Sequence, residues 1–361
     1  MKPKLYDQSI AIILKGQGES GGYLASPDFK PYRYCWFRDG SYIAYAMDLV
    51  NECESAARFH RWAIDTILKH REKLETCIKK TSAGLKPLKI DYFHCRFLLN
   101  GDETPGNWGN HQLDGLGVWL WSYSQHMILN KIKQVPDADK EILLLIRDYL
   151  AALWRFPCYD CWEENRNEIH TYTLAAIYAG LNQLAALLND EKSRILSENV
   201  KVYIFENLVH DGYLCKSRGQ DEVDGNLISI ATPFCLLDVN DPILNRTISK
   251  INEDLCPNTT GLHRYGNDEY YGGGIWILLT AWLGWHYSEA GFSQPAAAIL
   301  KWIESQATEE GELSEQICTD LLHPEAYSRW KEKWGEPAIP LLWSQAMYLI
   351  LYKSLESKGA L

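Results

Sequence analysis

Two adjacent carboxylates follow a tryptophan at Trp162-Glu163-Glu164, inside the run Tyr159-Asp160-Cys161-Trp162-Glu163-Glu164-Asn165-Arg166. Neighbouring residues point in different directions, so the two glutamates need not share a task. A carboxyl packed against an indole has its charged form disfavoured and can hold its proton near neutrality, as a general acid must. Taken alone, the same pair would also serve as solvated charge at a helix N-terminus, where the helix dipole favours it. Three further loops are as rich in aromatic and charged residues, and each precedes a helical run.

The first covers residues 32–40 and holds Trp36, Arg38 and Asp39. Arg presents several donors and Asp accepts two hydroxyl protons, which is the grip a pyranose diol needs, with Trp36 beneath the ring. An Arg-Asp pair at a helix start is equally a cap with a salt bridge. The second, residues 107–115, places Trp108 among amide groups, and its Gln112 and Asp114 also suit helix capping. The third, residues 263–276, carries Arg264, Gly272-Gly273-Gly274 and Trp276. No Lys-Ser/Thr follows these glycines and no strand precedes them, which argues against a nucleotide loop. Glycines that let backbone approach a ligand, with Arg264 reaching in, account for them better. A separate polar loop gathers Glu309, Glu310, Glu312 and Glu315.

Composition narrows the partner. The 14 Trp and 21 Tyr among 361 residues suit a wet pocket that stacks flat ligands, sugars above all. A net charge of -11 argues against nucleic acid or an anionic membrane surface. The apolar run at residues 9–14 lacks a cleavage pattern, so no signal peptide is read and a cytoplasmic protein is expected. The ten cysteines are then reduced, small apolar residues; Cys158 and Cys161 form a C-x-x-C without a second pair nearby. No histidines stand at ligand spacing, so neither metal nor organic cofactor is expected. The stretch 270–288 lacks formal charge, but its glycines, Thr280 and His286 fit a buried helix better than a membrane span.

Stepping along the chain, the hydrophobic period is helical almost everywhere. Helices are expected over 5–15, 38–49, 54–74, 113–129, 139–155, 171–187, 191–209, 227–237, 242–254, 273–289, 294–306 and 340–356. Residues 88–110 read as an extended or hairpin excursion and 211–225 as polar loop. About twelve helices, with no linker, repeat or parallel-strand pattern, predict one all-α domain over residues 1–361. Paired helices with long loops before alternate members suggest six hairpins closed into a ring, an (α/α)6 barrel.

The ordered set Tyr34-x-Trp36-x-Arg38-Asp39, Gln112-x-Asp114-Gly115, Trp162-Glu163-Glu164, Arg264-Tyr265-x-x-Asp268-x-Tyr270-Tyr271-Gly272-Gly273 with Trp276, and Ser314-Glu315-Gln316 resembles the glucoamylases of glycoside hydrolase family 15. The resemblance implies an (α/α)6 barrel and inverting, exo-acting hydrolysis of α-glucosidic bonds. It casts Glu163 as general acid and Glu315 as general base, the latter singled out from its acidic neighbours by the Ser-Glu-Gln match alone. It makes Glu164 a carboxylate holding the sugar next to the cleaved bond, Arg38 and Asp39 the clamp on the terminal glucose, and Arg264 another substrate-binding residue. Trp36, Trp108, Trp162 and Trp276 become pocket aromatics. Trp343-Ser344-Gln345-Ala346 matches a further family pattern. No N-terminal β-sandwich and no starch-binding module are read, which favours short soluble gluco-oligosaccharides as substrate. The linkage stays open between α-1,4, α-1,6 and the α-1,1 bond of trehalose, with a slight lean to α-1,6. A phosphorolytic enzyme of the same fold and a catalytically silent sugar-binding protein are the alternatives.

Overall fold

A computed structural model describes residues 3–106, 108–256 and 260–361. Asn107, which opens the Trp108 loop, lies outside the described residues. Among those residues are thirteen α-helices: α1 (Lys4–Lys15), α2 (Phe37–Leu49), α3 (Cys53–Lys69), α4 (Arg71–Ser82), α5 (Asp114–Leu129), α6 (Asp137–Leu153), α7 (Thr171–Leu188), α8 (Glu191–Asn207), α9 (Pro242–Leu255), α10 (Ile277–Glu289), α11 (Ser293–Gln306), α12 (Pro324–Trp334) and α13 (Leu342–Ser357). The strands are two-residue pieces.

The chain folds into two compact units that alternate in sequence. One takes residues 17–23 and 34–208, the other 1–16, 24–33 and 209–361. In the first unit α5 packs against α7 and α2, α7 against α8, and α4 against α6. α2, α5 and α7 are buried around nearly their whole circumference, whereas α3 and α6 keep an exposed face. The α5–α7 crossing is tight because glycine meets glycine. A Cβ on Gly180 would stand 2.3 Å from the Gly117 carbonyl oxygen, and one on Gly117 would stand 2.6 Å from the Ala176 carbonyl carbon. α8 starts at Asp190, whose side chain accepts from Ser193 N, and α7 stops at Asn189 in the left-handed region.

In the second unit α10 packs against α13 and α11, and α1 lies on α13. α10 and α13 are buried over nearly their whole length, with Glu289, Glu356 and Ser357 exposed at their C-terminal ends. Asp241 caps α9, with Pro242 at its first position, where the missing N–H costs nothing. A small antiparallel sheet orders Leu262–His263, Ile275–Trp276 and Gln316–Ile317 side by side.

Some expectations need correction. The helix expected over 54–74 is broken at His70, so that α3 stops and α4 runs on to Ser82, and α12 is a helix where none was read; their apolar stripes are thin, with only Leu74 and Cys77 of α4, and Ala326 of α12, buried. The helix expected over 227–237 is a 3-10 turn, Gly225–Ile230, followed by turns; Pro233 has no N–H with which to continue an α-helix. Residues 211–225 open with a hairpin, Val209–His210 against Tyr213–Leu214. The 88–110 excursion is extended with a hairpin, as expected: Arg96–Phe97 pairs with Cys35–Trp36, and Phe97 bridges Glu103 antiparallel. All ten cysteines are free thiols.

Candidate active site

The first unit gathers Trp36, Arg38, Asp39, Trp108, Trp162, Glu163 and Glu164. Pairing of Cys35–Trp36 with Arg96–Phe97 fixes the approach to α2, so Trp36 caps that helix and Arg38 and Asp39 fall in its first turn. Arg38 is buried and divided among three partners. Its Nη2 lies 3.3 Å from Asp39 Oδ2, and its Nη1 lies 3.2 Å from Asp114 Oδ2 and 3.0 Å from Gln112 Oε1. A guanidinium held on several sides keeps one orientation. Burial raises the Asp39 carboxyl to about 6, against the pull of Arg38 and with a smaller push from Glu163.

Asp160 builds the Glu163 loop. Its Oδ1 accepts from Trp162 N at 3.0 Å and Glu164 N at 2.8 Å, and its Oδ2 accepts from Asn165 Nδ2 at 3.3 Å. Its carbonyl accepts from Glu163 N at 3.0 Å and from Gln112 Nε2 at 2.5 Å. This tether holds Glu163 at φ 66, a left-handed backbone that a non-glycine residue keeps only when its surroundings enforce it.

The Glu163 carboxyl points between two indoles. Trp36 Nε1 donates to its Oε1 at 2.5 Å and Trp108 Nε1 to its Oε2 at 2.7 Å. Arg96 stacks on the Trp108 ring at 3.8 Å and lies 5.7 Å from the Trp36 ring. Burial pushes the Glu163 carboxyl above its ordinary range, while Arg38, Arg96 and both indole N–H groups draw it down. The leading cause, desolvation, is the one expected; the indole N–H groups act the other way, by donating to the ionised form. Trp162 itself is half-buried and holds the loop through its backbone; Glu164 is likewise half-buried, with its N–H and its carbonyl both bound to Asp160.

The second unit gathers Arg264, Trp276 and Glu315. Arg264 makes a two-pronged ion pair with the fully buried Asp268, Nε to Oδ2 at 2.9 Å and Nη2 to Oδ1 at 2.6 Å. Its guanidinium lies 5.1 Å from the Trp276 ring and 5.6 Å from the Tyr270 ring. Glu315 is only 3% exposed, unlike the acidic residues beside it, Glu309 and Glu310, which are exposed. Its backbone is pinned by Glu315 N to Ala338 O at 2.8 Å and by Ile277 N to Glu315 O at 3.3 Å. The Tyr32 and Tyr270 hydroxyls sit 2.9 Å apart beside it. Burial and then the Glu315 charge push both well above the ordinary tyrosine range, and Tyr32 hydrogen-bonds Glu315. Gln316 spans the sheet, with Gly274 N donating to its Oε1 and its Nε2 donating to Tyr270 O.

Sequence reasoning passed over Asp160, Arg96, Asp268 and Tyr32 as working residues. Asp160 and Asp268 lay inside quoted motifs, and an acid at the start of a turn that binds amides two residues on was the available signal. Arg96 sat in the excursion with nothing local to mark it.

Comparison with known proteins agrees in family and fold. Residues 2–331 match the glycosyl hydrolases family 15. The isomaltose glucohydrolase of Kribbella flavida is 36% identical over 359 residues, which span 98% of this chain and 92% of that protein. A wild-type glycosidase of known structure superposes with a TM-score of 0.93 at 35% identity, covering 99% of this chain and 97% of that one. A bacterial glucoamylase solved with acarbose, at 20% identity and TM-score 0.74, shares the fold over 98% of this chain and 55% of its own. The chain has the all-α, (α/α)6 fold and belongs to glycosyl hydrolases family 15, a glycoside hydrolase of the glucoamylase type.

Proposed function

We propose that this enzyme is an inverting exo-α-glucosidase that acts on short gluco-oligosaccharides as a single catalytic domain, residues 1–361, with isomaltose and its α-1,6 bond as the preferred substrate. The linkage rests on the 36% identity to an isomaltose glucohydrolase over nearly the whole of both chains. The chemistry rests on Glu163, a carboxyl raised by burial and held on a constrained loop.

Glu163 gives its proton to the glycosidic oxygen as the bond to C1 breaks. Glu315 takes a proton from water, which attacks C1 from the opposite face, so that β-glucose leaves. Inversion by this route requires the two carboxyls to stand about 6.5–9.5 Å apart across the sugar. Arg38 and Asp39 grip the hydroxyls of the terminal glucose, Glu164 holds the neighbouring sugar, and Arg264 binds from its own loop. Trp36, Trp108, Trp162 and Trp276 supply the aromatic walls. The proposed partner is a small sugar, with neither nucleic acid nor membrane involved. Among the described residues no helix is long and apolar enough to cross a membrane.

Proton NMR of isomaltose, maltose and trehalose digests run in parallel tests linkage and stereochemistry together. The expected result is β-glucose appearing first, fastest from isomaltose. Initial α-glucose would refute inversion, and faster cleavage of maltose or trehalose would refute the α-1,6 preference.

A further inference from the structure

Within the first unit a second cluster stands apart from the residues above. Asp48, His60 and His126 are all buried, and one ligating atom from each lies within 4.8 Å of the other two. Asp48 comes from the last turn of α2, His60 from α3 and His126 from the last turn of α5. Nδ1 of His126 lies 3.0 and 2.9 Å from the two carboxylate oxygens of Asp48. Asn130 holds that arrangement, its Nδ2 donating to Asp48 Oδ1 at 2.8 Å and to the His126 carbonyl at 3.0 Å. His60 is the member left over. It is 3% exposed, its ring lies 4.9 Å from that of His126, and both its nitrogens are buried without a hydrogen-bond partner.

A buried imidazole with neither nitrogen satisfied is rare in folded proteins and asks for an explanation. We propose that Asp48, His60 and His126 form a structural site for a divalent cation of the zinc or cobalt class. Two imidazoles and one carboxylate are the donor set these borderline ions favour, whereas calcium and magnesium take oxygen ligands. Asn130 supplies the outer hydrogen bond that orients a ligating carboxylate. Without the cation, His126 Nδ1 donates its proton to the Asp48 carboxylate; when the cation enters, the ring takes the tautomer protonated at Nε2, so that the Nδ1 lone pair and the carboxylate both face the ion. The site ties the C-terminal turns of α2 and α5 to α3. The opposite ends of α2 and α5 carry Arg38, Asp39 and Asp114, so the ion braces the frame of the sugar clamp and takes no step in hydrolysis. The pattern escapes a reading by spacing because each ligand comes from a different helix.

The test uses the whole protein after chelator treatment. Cobalt titration is followed by visible absorption, and zinc loading by native mass spectrometry and thermal unfolding. One cation per chain is expected, with the intense bands of low-coordinate cobalt and a zinc-dependent rise in the unfolding midpoint. His60→Leu and His126→Gln are each expected to weaken cation binding at least tenfold and to abolish that rise. Free of metal, His60→Leu loses an unpartnered polar group and should unfold no earlier than the parent. Absence of stoichiometric uptake, or equal uptake by His60→Leu, would mean that ordinary surface carboxylates bind the ion and would overturn the site. If both variants fail to fold, the parent cobalt spectrum decides: weak absorption of the hydrated-ion type refutes the proposal.

Discussion

Replacing Asp160 with alanine tests how the proposed acid is held. The Asp160 carboxylate accepts from Trp162 N at 3.0 Å and Glu164 N at 2.8 Å, the two amides that flank Glu163. Hydrogen bonds to a charged acceptor contribute about 1.5–3 kcal/mol each, so the pair contributes about 3–6 kcal/mol. The left-handed backbone at Glu163 costs about 1–2 kcal/mol. The tether exceeds the strain, and without it the residue relaxes toward ordinary dihedrals and carries its carboxyl away. A displacement on the order of 1 Å lowers a rate about 100-fold. Asp160→Ala should therefore lower kcat on isomaltose about 100-fold, with KM within a few-fold of the parent. Asp160→Asn keeps an oxygen at the same place but not its charge, and should lose about tenfold, since neutral hydrogen bonds contribute about half as much. The assay is glucose release under saturation, with circular dichroism confirming the fold. An Asp160→Ala enzyme with parental kcat would refute the reasoning.

Other changes probe the same ground. Glu163→Gln should reduce kcat by about 100- to 10,000-fold, the span of general acid catalysis, while isomaltose binding measured by calorimetry persists. Trp108→Phe removes a donor that favours ionised Glu163, so the alkaline limb of the kcat profile should move to higher pH; a shift to lower pH would contradict the assigned cause. Asp39→Asn loses a charged acceptor for sugar hydroxyls and should raise KM roughly 10- to 100-fold, from about 1.5–3 kcal/mol. It should also gain stability relative to the parent as pH rises from about 4 to about 6. Across that window the folded Asp39 keeps a proton that the unfolded chain releases, so its ionisation costs stability, a pH-dependent loss that denaturant melts can follow. Gly180→Ala forces a Cβ against the Gly117 carbonyl and should lower unfolding stability by about 1–3 kcal/mol in urea titrations.

Much of this molecule could be read in advance where one physical signal dominated. Helices that are apolar almost all round, such as α5, α7 and α13, announce themselves by long apolar stretches. α4 and α12 do not, because each turns so few apolar residues inward, Leu74 and Cys77 of α4 and Ala326 of α12, that no stripe stands out. Residue type and spacing marked Glu163, Arg38 and Asp39 as candidates but left a solvated pair and a helix cap equally open, and only the ordered motifs gave them roles. Glu315 was picked out of an acidic loop only by a motif, and its burial among Tyr32 and Tyr270 is what separates it from Glu309 and Glu310. Arg96, stacked on Trp108 from the short strand Arg96–Phe97, could not be found without coordinates. The direction of the Glu163 shift and its leading cause, desolvation, agreed with expectation, whereas the opposing pull of two indole N–H groups did not show, because no sequence tells which way an indole N–H will face.

The meeting of α5 and α7 at bare backbone has a consequence for how this enzyme can change. Gly117 lies one turn beyond Asp114, a partner of Arg38, and α7 begins just after the loop that carries Glu163. The crossing thus links the helix that holds Asp114 beside the proposed sugar clamp to the helix that follows the loop of the proposed proton donor. A methyl group inserted there would act like a shim, tilting one relative to the other. Substitutions deep in this core should alter which substrates fit before they unfold the protein, although they lie away from any sugar.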